Sequence, residues 1–138
     1  MTAGDVVALR GVLGSGKSVF ARGILRALGI GGYTPSPSFI IVATYQGTPT
    51  VNHIDLYRLR HMREAVTVGI EEVLSSGGVS VIEWAERLGE LLPESRVDVE
   101  IVLRNDPNER LIKIAPLGDD LRRRLLPMVL DAFREMKR

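Results

Sequence analysis

The chain has 138 residues, 45% of them hydrophobic and 25% charged, with a formal net charge of +1. That balance suits one soluble globular domain spanning residues 1–138 and gives no global electrostatic case for binding nucleic acid or a membrane surface. With no cysteine and two histidines, a disulfide framework, a thiol nucleophile and a Cys-ligated zinc are excluded, and no segment reaches the roughly 18 apolar residues of a membrane span.

Met1–Asp5 lacks the charged and apolar regions of a secretory signal, so a cytoplasmic enzyme is the default expectation. Asp5–Arg10 predicts a short buried strand. Gly11-Val12-Leu13-Gly14-Ser15-Gly16-Lys17-Ser18 then spells G-x-x-x-x-G-K-S. Glycines let such a loop wrap closely enough for backbone N–H groups to surround phosphate oxygens. Lys17 supplies a point charge for the outer phosphates, and Ser18 a hydroxyl for Mg²⁺. Phe20, Ile24, Ala27 and Leu28 recur at helical spacing, and Gly29 stands where a C-cap glycine belongs. Strand, glycine loop and helix in that order aim a helix N-terminus at a phosphate.

Gly29–Ser38, with three glycines and two prolines, predicts a loop. Phe39–Tyr45 and Thr50–Tyr57, joined by Gln46-Gly47-Thr48-Pro49, predict an antiparallel hairpin. Short helical stretches follow around Arg60–Ala65 and Gly69–Leu74. Val79–Trp84 reads as a buried strand, and Ala85–Leu92 as a helix stopped by Pro93. Val97–Leu103 and Leu111–Ala115 flank an Asn105-Asp106-Pro107-Asn108 turn and make a second hairpin. Asp119–Lys137 predicts an amphipathic helix with Leu121, Leu125, Val129 and Phe133 spaced by four, kinked or split by Pro127. The expected fold is α/β: a phosphate-loop NTPase-like sheet with parallel core strands, antiparallel hairpins at the edge and helices on both faces.

Mg²⁺ favours oxygen ligands, usually one or two protein groups beside phosphates and waters. Glu83 and Asp55 each end an apolar strand, where phosphate-loop enzymes carry the acid that orients a metal or a water. Either could instead cap a following helix. Ser36 and Ser38 lie where many such proteins place a switch that senses the third phosphate, or they serve turn chemistry beside Pro35 and Pro37. Trp84 could stack near the nucleotide or plug the core, and core packing is the better expectation on general grounds. His53 reads as a strand histidine with a satisfied partner, and Arg122-Arg123-Arg124 as a solvated helix face.

The run Gly14-Ser15-Gly16-Lys17-Ser18, then Ser36-Pro37-Ser38, His53-Ile54-Asp55-Leu56-Tyr57-Arg58-Leu59, Gly69-Ile70-Glu71-Glu72 and Ile82-Glu83-Trp84 resembles the TsaE (YjeE-type) ATPases over about Gly4 to Ala115. That resemblance implies a weak ATPase, an accessory protein for making threonylcarbamoyladenosine in tRNA. It implies that Gly14 to Val19 bind the phosphates of ATP or ADP, with Leu13 in the same loop and Trp84 counted beside the nucleotide. Lys17 would contact the outer phosphates, Ser18 and Glu83 would hold Mg²⁺, and Asp55 would serve hydrolysis through water or metal. Ser36 to Ser38 matches the family's switch. The implied partner is a two-protein transferase complex, with tRNA met only inside that complex. Three departures stand out. The family's usual strand and helix before the loop strand are not seen ahead of Asp5, Val12 stands where an acid is common, and Ala85 where a proline is common.

Two other functions share the loop and the acids. A small-molecule kinase would need an acceptor pocket and usually an Arg-bearing lid, for which Arg58, Arg60 and Arg63 are the nearest candidates. A nucleotide-dependent binding switch would bind ATP or ADP with negligible turnover. A GTPase is disfavoured because no Asn-Lys-x-Asp motif occurs.

Overall fold

The computed structural model describes residues 1–32 and 41–136, with side chains up to residue 128. A six-stranded sheet is laid out in the order β2-β3-β4-β1-β5-β6. Its strands are β1 (Val6–Arg10), β2 (Val42–Tyr45), β3 (Val51–Asp55), β4 (Val79–Glu83), β5 (Arg96–Leu103) and β6 (Arg110–Leu117). β3, β4, β1 and β5 run parallel, while β2 and β6 are antiparallel additions, one at each edge. The continuous apolar runs of β1 and β4 follow from this placement, because a central parallel strand is covered on both faces.

Alternate residues of those strands feed two cores. Val7, Leu9, Val79, Val81, Val97, Val99 and Ile101 meet Ala21 and Leu25 of α1 (Lys17–Ala27) and Leu121 of α4 (Asp119–Met136). Val6, Ala8, Ile54 and Ile82 meet Ala65 of α2 (Met62–Thr67), Ile70 of α3 (Ile70–Leu74), and Ala85 and Leu88 of the segment that follows β4. Helices therefore cover both faces, as the sequence pattern requires. The four-residue spacing expected of α4 is seen in buried Leu121 and partly buried Leu125.

Several expectations are corrected. Ala85–Leu91 forms 3-10 turns broken at Gly89, which adopts φ 52° and ψ −122°, rather than an α-helix. α4 is not split at Pro127 but continues through it, since in an 18-residue helix the ring removes a single donor. Arg124 is no solvated bystander. Its guanidinium donates to both carboxylate oxygens of buried Asp5, at 2.7 and 3.0 Å, and to Asp120 one turn earlier. Of the predicted strand Phe39–Tyr45, the first two residues lie outside the described ones, as does the switch segment Thr34–Ser38.

Candidate functional site

The candidate site sits where β1 and β4 end beside the start of α1. Between β1 and α1, the Gly11–Gly16 loop is stitched by its own backbone: the Ser15 amide donates to Val12 O at 3.0 Å. From the β6 edge, the Arg110 guanidinium donates to Ser15 O at 2.9 Å. Gly16 enters α1 at φ 110°, a left-handed value that favours glycine. α1 carries no side-chain cap and no acid in its first turn, so its leading amides and the positive end of its dipole remain available to an anion.

Register brings the two acids together. β3 pairs with β4 so that Asp55 lies opposite Glu83, and β4 pairs with β1 so that Glu83 lies opposite Leu9. Paired residues on parallel strands share a face, here the α1 face. Glu83 is almost fully buried, and each of its oxygens has a donor: Ser18 Oγ donates to Oε1 at 2.6 Å, and His53 Nε2 lies 2.6 Å from Oε2. A carboxylate offers only acceptors, so Nε2 carries the hydrogen. Asp55 accepts the Tyr57 amide at Oδ1, 3.0 Å away.

Lys17 is 5% exposed and turned inward. Its ammonium donates to Gly11 O at 2.5 Å and to Val12 O at 2.9 Å, and lies 4.0 Å from the centre of the Trp84 ring. Burial pulls its pKa below the usual lysine value, against the opposing charges of Glu83, Glu86 and Asp55. Trp84 is half-buried. Its backbone is left-handed at φ 58°, uncommon for so bulky a residue. Tyr57 packs against it at 5.3 Å between ring centres, and the Arg87 guanidinium lies 5.0 Å from its ring. Arg87 in turn donates to the backbone carbonyls of Leu56, Tyr57 and Leu59.

Leu13, Gly14, Gly16, Lys17, Ser18, Val19, Asp55, Glu83 and Trp84 thus line one cleft of about 580 Å³, joined by Tyr57 and Arg58. Ser15 does not line it. Its hydroxyl is buried 3.5 Å from Lys17 Nζ and its carbonyl anchors the loop. Ser36 and Ser38 lie outside the described residues. Trp84 packs against the core as expected, and its ring also forms cleft wall and backs Lys17. Sequence reasoning missed Arg87 and Arg110, whose roles run through backbone carbonyls and leave no spacing signal. It also left the partner of His53 unnamed. Among the described residues no three His, Asp or Glu side chains converge as a cation site of their own, and no helix is long and apolar enough to cross a membrane.

The chain is similar to known proteins over most of its length. The family model for "Threonylcarbamoyl adenosine biosynthesis protein TsaE" matches residues 1–112. The chain is 38% identical over 108 residues to the "tRNA threonylcarbamoyladenosine biosynthesis protein TsaE" of Treponema pallidum, covering 78% of this chain and 80% of that one. It is 35% identical over 117 residues to the protein of the same name from Bacillus subtilis, covering 84% and 72%. Against the crystal structure of YdiB from Bacillus subtilis the TM-score is 0.76 at 29% identity, covering all of this chain and 82% of that one.

Proposed function

The chain belongs to the TsaE family of tRNA threonylcarbamoyladenosine biosynthesis, and from that premise we propose that it binds ATP and ADP with Mg²⁺ at the Gly11–Ser18 loop and hydrolyses ATP slowly. We further propose that the transferase pair of the same pathway gates its turnover. The observation that carries this reading is the convergence of Lys17, Ser18, Asp55 and Glu83 with the uncapped start of α1 on one cleft.

The donor set fits the metal. Ser18 and the two acids offer only oxygen, the preference of a hard divalent cation. Ser18 and Glu83 would hold Mg²⁺, with Asp55 beside them. When bound, the ion would neutralise charge on the outer phosphates. The remaining work falls to the chain. Lys17 leaves the Gly11 and Val12 carbonyls and the Trp84 face to meet the phosphates, and the α1 amides receive their oxygens. Asp55 orients the attacking water.

The test is ATP hydrolysis by the full chain, alone and with the transferase pair. Slow turnover that changes when the pair is added supports the reading. Fast partner-independent turnover, or phosphate arriving on a small acceptor, refutes it.

A further inference from the structure

His53 is fully buried on β3, does not line the cleft, and among the described residues has its Nδ1 without a hydrogen-bond partner. Among the described residues its one polar contact is Glu83 Oε2, at 2.6 Å. We propose that His53 is a positioning residue for the Mg²⁺ site, acting through Glu83 on the hydroxyl of Ser18. The inference rests on the Mg²⁺-nucleotide reading above.

The argument is one of hydrogen counting. A serine hydroxyl has one hydrogen and two lone pairs. Ser18 spends its hydrogen on Glu83 Oε1, so its lone pairs are turned away from the carboxylate and toward whatever cation occupies the cleft. That orientation holds only while Oε1 stays where it is. The carboxylate is pivoted on a single side-chain bond and is almost fully buried. A buried carboxylate rotates to find donors when one is removed. His53 supplies the second donor, on the opposite oxygen, and so fixes the plane of the carboxylate. β3 pairs with β4 to put His53 opposite Val81, two residues before Glu83 and on the same face. The imidazole therefore reaches Glu83 diagonally across neighbouring strands. Histidine suits this task because its ring is rigid and presents Nε2 at the far end of the side chain. An unpartnered Nδ1 is the cost of a donor placed by geometry rather than by a network.

Outer partners of this kind change metal affinity about 10–100-fold when removed. The experiment measures ADP binding by calorimetry in EDTA and in saturating Mg²⁺, for wild type, His53→Gln and His53→Leu. The expected result is equal affinity in EDTA for all three, and a Mg²⁺-dependent gain that falls by about 10–100-fold in His53→Leu but is largely kept in His53→Gln, whose amide can donate at similar reach. If His53→Leu does not fold, His53→Asn replaces it: one methylene shorter than glutamine, it should lose the gain that His53→Gln keeps. In a Ser18→Ala background the His53 substitution should cost less, because the route through the serine hydroxyl is cut and only the hold of Glu83 on the cation is left. A folded His53→Leu or His53→Asn with the wild-type Mg²⁺ gain overturns the inference, as does full additivity with Ser18→Ala. A wild type whose ADP affinity ignores Mg²⁺ overturns the proposed function itself, and this inference with it.

Discussion

Gly11→Ala should destabilise the protein markedly, and for a reason unrelated to phosphate. At φ +157° a Cβ on residue 11 would lie 2.8 Å from the Ile101 carbonyl oxygen and 2.5 Å from Ser15 Oγ. The serine hydroxyl can rotate aside. The Ile101 carbonyl cannot, because Ile101 lies inside β5, where it pairs with Ile112 of β6, one residue beyond the end of the β1 pairing. Forcing a methyl into a closed site costs about 1–3 kcal/mol, and the positive φ adds roughly 1–2 kcal/mol for an L-residue. Together these give a loss of about 2–5 kcal/mol. Gly14→Ala is the control. It shares a positive φ, +80°, but its Cβ would meet nothing within 4 Å, so only the backbone term of about 1–2 kcal/mol applies. Urea denaturation of both variants separates the two terms. If Gly11→Ala is no less stable than Gly14→Ala, the steric argument is wrong and the loop has room that the structure does not show.

Lys17→Ala should stay folded but lose most of its ATP and ADP affinity, which calorimetry would show, and unchanged binding would remove the loop from the proposed site. Asp55→Ala should bind ATP about as well as wild type yet hydrolyse it poorly, the pattern of a group used mainly in the transition state, read from paired kcat and Kd measurements. Trp84 emission should shift on adding nucleotide, and it should already differ in nucleotide-free Lys17→Met, since the ammonium rests on the ring. At Asp5, burial raises the carboxyl pKa, but the Arg124 hydrogen bonds and the Thr2 amide outweigh it, so the group sits below the usual carboxylate value. A depressed carboxylate contributes stability above its unfolded pKa, about 4, that is lost as pH falls through the folded value. Urea midpoints between pH 5 and 2.5 should therefore fall more steeply in wild type than in Asp5→Asn.

The parts of the fold that were legible in the sequence are those with strong periodicity or punctuation. β1, the loop and α1 follow from an apolar run, the spaced glycines Gly11, Gly14 and Gly16 with Lys17, and a 3.6-residue pattern, and both hairpins follow from their turns. The pairing of Asp55 with Glu83 could be anticipated only as two acids at two strand ends; their shared register is a property of the sheet. Ala85–Leu91 misled because its composition is helical while Trp84 and Gly89 take backbone angles that a regular helix cannot hold. Arg124 was misread because a run of three arginines looks alike from outside, and only tertiary placement over Asp5 singles one of them out. His53 showed its type and strand position, but the oxygen it would meet lies 30 residues away.

The inward posture of Lys17 has a further consequence for what can enter the cleft. With its ammonium held by two carbonyl dipoles and an aromatic face, Lys17 keeps its charge but is already solvated within the resting loop rather than presented bare to passing anions. A guest must draw the ammonium out, and a weakly charged one such as chloride or acetate offers too little in exchange. On the nucleotide reading proposed above, the arrangement sets a threshold that favours a multiply charged group, able to engage the amides of α1 and the lysine together, over a small monovalent anion.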